Sequence, residues 1–275
     1  MVKSLDQTGG GYLMQISAKE MRIDILKMAL VAKGTGAHLG GSLSLVEIFS
    51  SLYSFINFDK RNLEKRDRII LSKGHGVMAQ YAALKQLGLY TQDEIETFKT
   101  KNAVVYAHPY IDEMRAIDFS SGSLGQGLSL GIGVAIAQKL KKQNKKTYVI
   151  LGDGECNEGQ VWEAAMSAAH YKLNNLVAII DKNNIQLDDK TSVILDMGNL
   201  AQKWESFGFD VIECDGHNES ELLKAYNNQK DKPLVIIANT IKGKGVSFMK
   251  HEPSWHFNVL SQSLYEKAMC EVLNA

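Results

Sequence analysis

The residues best suited to chemistry lie thirty positions apart, each where an apolar run gives way to polar side chains. Asp153, within Gly-Asp-Gly, follows the run at residues 148–151, and Asn183 comes shortly after the run at 176–180. Both runs are typical of buried strands, and a helix-length segment separates them. Because parallel strands end at the same edge of a sheet, we expect Asp153 and Asn183 to converge there.

The oxygen atoms expected at this edge suit a hard cation. Asp153 offers a carboxylate, Asn183 a carbonyl oxygen, and the bend that follows frees a backbone carbonyl such as that of Ile185. Mg²⁺ takes such ligands while keeping phosphate oxygens, and Gly154 lets the backbone N–H approach a phosphate. The pattern predicts a site for a metal-bound diphosphate. The alternative is a turn after a buried strand with an Asn-rich loop further on.

The stretch at residues 152–185 resembles one protein family. Its Gly-Asp-Gly and distal Asn pair are similar to the thiamine diphosphate signature, and the segments ECNEG, WEA and KLNNL between them resemble transketolase in particular. The resemblance implies thiamine diphosphate as the cofactor, with Mg²⁺ as the metal and Ca²⁺ or Mn²⁺ as substitutes. It implies Asp153, Asn183 and Ile185 as metal ligands, and Asp153, Gly154 and Asn183 as cofactor-binding residues.

Two histidines in the first third of the chain lie on glycine-containing loops. By the resemblance, His38 would contact the sugar, although Leu39 stands where the family usually has Pro. His75, in the segment SKGHG after a predicted strand, would touch the diphosphate of the cofactor. For each histidine the alternative is simple capping of a turn.

Two later histidines also match the family pattern. His108 belongs to a His-Pro pair and would lie beside the reacting carbonyl of the donor. His256 belongs to a Trp-His pair and would reach both cofactor and substrate, with Phe257 in place of the usual Gly. The resemblance therefore makes His38, His108 and His256 catalytic candidates and assigns His75 and His256 to cofactor binding.

Two further features complete the candidate site. The resemblance places Gly122, Ser123 and Leu124 at the thiazole region of the cofactor, with Ser123 where Pro is common. Glu158 resembles the family's acidic residue at a subunit interface, where it would join a charge relay between paired active sites. A glutamate in the first turn of a helix also suits the helix dipole, so the structural explanation stays open.

The elements that must position these residues alternate between strand and helix. Strands are predicted at residues 66–72, 148–151, 176–180, 209–214 and 234–240, and helices from Ser17, over 43–55, 77–87 and 128–141, and around 220–227. Such alternation predicts an α/β fold, a doubly wound and mainly parallel sheet with helices on both faces. The resemblance implies that this is the thiamine diphosphate-binding, PP-type fold. We expect one domain over residues 1–275, with 1–15 as a loose arm and the glycine-rich loop at 34–42 irregular.

Composition limits the partners and the compartment. Thirty-one basic residues balance thirty-one acidic ones, so no bulk charge attracts nucleic acid or a membrane surface. Three distant cysteines argue against a disulfide framework or a structural zinc, and the first residues lack the apolar core of a signal peptide. A cytoplasmic protein with no membrane span is expected.

The resemblance covers nearly the whole chain but only the diphosphate-binding portion of a transketolase. It implies the N-terminal subunit of a split transketolase, which moves a two-carbon ketol unit from a ketose donor, phosphorylated or related, to an aldose acceptor. A separate C-terminal subunit would supply the pyrimidine-binding domain with its ring-activating Glu. The implied assembly is an α2β2 heterotetramer.

Three other functions stay open at this point. The α subunit of a 2-oxo acid dehydrogenase shares the Gly-Asp-Gly and the distal Asn, although the segments SKGHG, His-Pro and KLNNL argue against it. A non-catalytic paralogue would bind cofactor or partner without turnover. A metal-dependent hydrolase would require a second carboxylate cluster beside Asp153, which the sequence does not offer.

Overall fold

A parallel sheet forms the centre of the computed structural model, which describes residues 16–59, 62 and 65–275. The strands are β1 (Arg68–Leu71), β2 (Thr147–Gly152), β3 (Leu176–Lys182), β4 (Ile185–Gln186), β5 (Asp189–Lys190), β6 (Asp210–Asp215) and β7 (Leu234–Asn239). The main sheet has the order β1-β2-β3-β7-β6 with every neighbouring pair parallel, and β4 and β5 form a small antiparallel pair. The predicted arm at residues 1–15 lies outside the described residues.

Helices cover both faces of this sheet. They are α1 (Ala18–Val31), α2 (Leu39–Leu43), α3 (Val46–Phe55), α4 (Val77–Gln86), α5 (Gln92–Ile95), α6 (Gln126–Leu140), α7 (Gly159–His170), α8 (Thr191–Ile194), α9 (Leu200–Ser206), α10 (Glu219–Tyr226) and α11 (Gln262–Asn274). None of the helices within the described ranges combines the length and the apolar character that a membrane span requires.

Alternate residues of each central strand enter different hydrophobic cores. Along β2, Tyr148 and Ile150 pack with α1, α3, α4 and α10, whereas Val149 and Leu151 pack with α6, α7 and α9. This two-sided burial explains why the strands are continuous apolar runs rather than alternating ones. The predicted doubly wound α/β fold is confirmed.

The amino-terminal half differs from prediction at one place. Helix α1 begins as expected, with the Ser17 side chain accepting a hydrogen bond from the backbone N–H of Glu20 (3.2 Å). The glycine-rich loop, however, is partly regular: it winds into α2, and the predicted helix at 43–55 is the separate α3. Small residues allow this turn to lie under the site, since a Cβ on Gly41 would come within 3.2 Å of the His75 ring.

Candidate active site

The candidate site lies at the carboxyl edge of β1, β2, β3 and β7. The register places Gly152 beside Asp181, and Lys182 beside Asn239, so the segments that leave these strands emerge side by side. Ligands of open α/β sheets bind at this edge. The order of the strands in the sheet therefore brings the loops that carry the predicted site residues close together.

Asp153 and Asn183 are buried and converge as predicted. Asp153 accepts hydrogen bonds from the backbone N–H groups of Gly154 (2.9 Å) and Asn184 (2.6 Å), which joins the ends of β2 and β3. The side-chain oxygen of Asn183 accepts from the N–H of Ile185 (3.2 Å). Burial, together with the charge of Asp181, raises the pKa of Asp153 to about 6. A cation would relieve both effects.

Asp181 is a central residue of the site that the sequence reasoning missed. Its side chain is fully buried and accepts hydrogen bonds from Ser44 Oγ (2.7 Å), Asn183 Nδ2 (3.0 Å), Lys73 Nζ and Thr240 Oγ1. Burial opposes its ionisation, but the charge and the hydrogen bond of Lys73 outweigh burial, so the pKa of Asp181 is lowered. The available signal was an aspartate at the end of an apolar strand, two residues before Asn183.

Two buried lysines, Lys73 and Lys242, lie close to Asp181 and to the segment that follows Asn183, and the sequence reasoning missed both. Lys73 (1% exposed side chain) pairs with Asp181 and also donates to the carbonyl of Gly41 (3.3 Å). Lys242 donates to the carbonyl of Ile185 (3.0 Å), and burial with the nearby charge of Lys73 lowers its pKa to about 8. Buried ammonium groups beside backbone N–H groups favour an anion such as a diphosphate.

The four histidines predicted as functional come together beside the lysines. The ring centroid of His38 lies 5.4 Å from that of His75, 5.8 Å from that of His108 and 5.4 Å from that of His256. The rings of His75 and His256 are 5.2 Å apart, and Phe257 packs 4.8 Å from His38. These loops are distant in sequence, so their convergence supports a shared role.

These histidines are neutral at physiological pH. Burial and neighbouring positive groups lower the pKa of His38 to about 4 and that of His256 to about 3, and lower the pKa of His75 and His108 as well. Lys242 Nζ lies 2.8 Å from Nδ1 of His256. Because an ammonium only donates, Nδ1 accepts and the ring carries its proton on Nε2. Neutral rings can orient hydroxyl groups and accept or return protons.

The remaining predicted residues border this centre. Gly122 lies against His108, since a Cβ on Gly122 would be 3.4 Å from the ring atom Cδ2. Ser123 is exposed and Leu124 is half-buried, next to the start of α6. Glu158 is exposed and lies beside Gly125, where an added Cβ would come within 2.9 Å of the Glu158 Cβ. The structure does not place Glu158 among the ring contacts of the histidines, and its interface role stays a prediction.

Glu155 is a second buried carboxylate missed from sequence. It accepts hydrogen bonds from the backbone N–H groups of Gly125 (2.8 Å) and Gly152 (3.0 Å) and from the hydroxyl of Ser72. Ser72 in turn accepts from the N–H of Gly127 (3.1 Å). Glu155 thereby ties the Gly-Asp-Gly turn to the end of β1 and to the start of α6.

The donor set fits a magnesium diphosphate. Within the described ranges, no group of three or more His, Cys, Asp or Glu side chains could hold a metal ion. The predicted ligands are of a different kind, with one carboxylate, one amide oxygen and one backbone carbonyl, which leaves coordination positions for phosphate oxygens and water. The two buried lysines add positive charge for the anion.

A parallel α/β sheet that gathers buried carboxylates, two buried lysines and four neutral histidines at its carboxyl edge is the arrangement of a cofactor-dependent class of enzyme. A sequence model of the family described as "Transketolase, thiamine diphosphate binding domain" matches residues 15–266. The chain belongs to this family.

Individual relatives agree with that assignment. The chain is 37% identical over 268 residues to an apulose-4-phosphate transketolase subunit of Phocaeicola vulgatus, covering 94% of this chain and 95% of the relative. It is 37% identical over 266 residues to a 6-deoxy-6-sulfo-D-fructose transketolase subunit of a Clostridium species, covering 94% and 97%. The transketolase structure from Campylobacter jejuni superposes with a TM-score of 0.86 at 27% identity, covering 96% of this chain and 43% of that one.

Proposed function

We propose that this chain is the N-terminal, diphosphate-binding subunit of a split transketolase. The observation that carries the proposal is the pattern of coverage. The matches to two transketolase subunits extend over nearly the full length of this chain and of each relative, whereas the chain spans less than half of the Campylobacter jejuni transketolase. The reaction is transfer of a two-carbon ketol unit from a ketose to an aldose.

The cofactor we propose is thiamine diphosphate with Mg²⁺. Asp153, Asn183 and the carbonyl of Ile185 would hold the metal, while Gly154 and the two buried lysines would hold the diphosphate. Gly122 lies against His108, and the thiazole ring would lie at this segment, which continues with Ser123 and Leu124. The bound cofactor supplies a nucleophilic thiazolium carbon for breaking and forming the carbon–carbon bond.

The histidines would act on the sugar. His38, His108 and His256 are neutral and half-buried, and the rings of His108 and His256 each lie next to that of His38. His38 and His108 can each donate one hydrogen bond and accept another, whereas His256, whose Nδ1 accepts from Lys242, can donate from Nε2. In this geometry they would orient the hydroxyl groups of the donor and move protons during cleavage, while His75 lies deeper, near Lys73. Because their pKa values are lowered, these rings stay neutral at neutral pH.

A separate C-terminal subunit is the proposed partner, in an α2β2 assembly with Glu158 near an interface. The loop that carries His108 and the segment that follows Ile185 both expose large apolar side chains. These are Tyr110, Ile111, Met114, Val193, Ile194 and Leu195. Burial of such groups against a partner would be favourable, and the partner would complete the site. No nucleic acid or membrane partner is proposed.

The donor would be a ketose phosphate or a related sugar, since the two relatives are named for apulose-4-phosphate and 6-deoxy-6-sulfo-D-fructose. We propose a cytoplasmic location, because all three cysteines lie in the described residues as free thiols, two of them buried.

Calorimetry tests the proposal. Thiamine diphosphate with Mg²⁺ is titrated into this chain alone and into a mixture with the product of the neighbouring open reading frame. We expect tight binding in the mixture, loss of binding in Asp153→Ala, and retention in Asp188→Ala, which removes an exposed carboxylate nearby. A screen of ketose donors follows. Equal tight binding by the chain alone would contradict the need for a partner, and binding without turnover would favour a non-catalytic paralogue.

A further inference from the structure

The turn that follows β7, residues 240–246, delivers two side chains to the site from the edge of the sheet. Thr240 donates to Asp181, and Lys242 donates to the carbonyl of Ile185 and to His256. The backbone N–H of Thr240 still pairs with the carbonyl of Lys182 (3.0 Å), as in the sheet. The next backbone N–H group, that of Ile241, pairs with a side chain instead of a neighbouring strand.

That N–H donates to a side chain outside the site. The acceptor is Nε2 of His217, 2.8 Å from the Ile241 nitrogen. Nδ1 of the same ring lies 2.8 Å from a carboxylate oxygen of Glu47, and the His217 side chain is only 7% exposed. Since an N–H can only donate, Nε2 accepts, and Nδ1 carries the proton that is donated to Glu47. Both ring nitrogens are therefore committed, in one tautomer.

Glu47 is itself held by an ion pair that reaches the other end of the turn. Arg22 lies 2.5 Å from the second carboxylate oxygen of Glu47, and its Nε donates to the carbonyl of Lys244 (3.3 Å). Burial disfavours the carboxylate, but the hydrogen bonds from His217 and Arg22 and the charge of Arg22 outweigh burial and lower the pKa of Glu47. The turn is therefore held at two backbone positions that flank Lys242. Arg22 of α1 contacts the carbonyl of Lys244, and Glu47 of α3 orients His217, which accepts from the N–H of Ile241.

We propose that His217 is a positioning residue for the cofactor site: by accepting the Ile241 N–H it sets the path of the turn and aims Lys242 at the diphosphate. The role of Lys242 rests on the proposed function, whereas the hold on the turn does not. If the half-buried N–H of Ile241 lost its acceptor, the backbone would shift to form another hydrogen bond, because an unpaired buried N–H is costly. The adjacent Lys242 would move with it. Small displacements of a charged group at such a site weaken binding strongly.

Two substitutions separate the two hydrogen bonds of the ring. His217→Gln places an amide oxygen near the position of Nε2, so it keeps an acceptor for Ile241 and gives up the bond to Glu47. His217→Asn places an amide nitrogen near the position of Nδ1, so it keeps the bond to Glu47 and gives up Ile241. Each variant loses one hydrogen bond, which makes them matched controls for a general loss of stability.

The first measurement is hydrogen exchange at the Ile241 amide, resolved by NMR, together with the melting temperature. The second is the dissociation constant of thiamine diphosphate with Mg²⁺ for the chain mixed with its partner subunit. At similar melting temperatures we expect His217→Asn to speed exchange and to weaken binding about tenfold. His217→Gln should stay within about twofold of the wild type in both.

Equal effects of the two variants, or no effect of either, would overturn the positioning role. If the wild type binds no cofactor, the proposed function fails, and hydrogen exchange still decides whether His217 holds the turn. Faster exchange in His217→Asn with unchanged affinity would overturn the link from His217 to the diphosphate.

Discussion

The ammonium of Lys242 lies 3.0 Å from the carbonyl oxygen of Ile185, the same oxygen that the sequence pattern assigns to a metal ion. A carbonyl oxygen has two lone pairs, and a metal at one of them would repel the ammonium. The same lysine is close to His256, so it connects the proposed metal loop to the histidines. In the proposed site, Lys242 would therefore exchange this carbonyl for a phosphate oxygen if a metal ion bound to the carbonyl.

Replacement of Lys242 by Met should weaken binding of Mg²⁺ pyrophosphate about tenfold, because a buried charge-assisted hydrogen bond to the anion is lost. Calorimetry measures the change. Lys244→Met is the matched control on the same turn, since its backbone carbonyl rather than its ammonium contacts Arg22. An equal loss in both variants would show that only net charge matters.

Removal of the Asp181 carboxylate should destabilise the fold severely. Asp181→Ala leaves the Lys73 ammonium buried without its partner, which costs about 3–5 kcal/mol. Urea unfolding at neutral pH measures the loss. Addition of Lys73→Met to Asp181→Ala should recover part of it, because the unpaired charge is then gone. Asp188→Ala, at an exposed position, should change stability by no more than about 0.5 kcal/mol.

Glu155→Gln should lower the free energy of unfolding by about 1–3 kcal/mol. The new amide N–H₂ group must then face a hydrogen-bond donor at a position where the carboxylate oxygen accepted a hydrogen bond. The donors concerned are the N–H groups of Gly125 and Gly152 and the hydroxyl of Ser72. Thermal and urea unfolding measure the change. Glu163→Gln on the exposed side of α7 is the control. Unchanged stability in Glu155→Gln would mean that these loops are held by other contacts.

His38 should make the stability of the chain depend on pH. Burial, then the charges of His108 and Lys99, lower its pKa from 6.5 to about 4 in the folded chain. The unfolded chain therefore binds the proton first, so the free energy of unfolding falls as pH drops below 6.5 and is independent of His38 above that.

Replacement of this ring should reduce that pH dependence. Between pH 7.5 and 4.5, His38→Asn should remove on the order of 2 kcal/mol of the decline seen in the wild type. Urea unfolding at the two pH values measures the difference. His170→Asn, at the exposed end of α7, is the control for the loss of an imidazole outside the candidate site.

The residues identified from sequence share one property: they lie in short motifs with a recognisable spacing. The Gly-Asp-Gly turn, the distal Asn183 and His75 follow predicted strands, and His38 lies among glycines. His108 and His256 could be found because their His-Pro and Trp-His pairs resemble the family pattern. Asp181, Glu155 and the two buried lysines were missed, since a single charged residue in a sequence carries no sign that it is buried. Partners distant in sequence reveal that, such as Gly125 for Glu155, 30 positions away, and Asp181 for Lys73, 108 positions away.

The sequence by itself determined the parallel α/β class, because continuous apolar runs that alternate with helical segments must be buried on both faces. It also indicated the chemical type of the site, through an acidic turn and an amide at strand ends and through four histidines in segments that resemble the family pattern. The tertiary structure decided which of these groups meet. The order β1-β2-β3-β7-β6 brings the turn after β7 next to β3, and so places Lys242 at Ile185 and His217 behind it. Strand order depends on how whole helices pack against the sheet, a long-range property that no local pattern encodes.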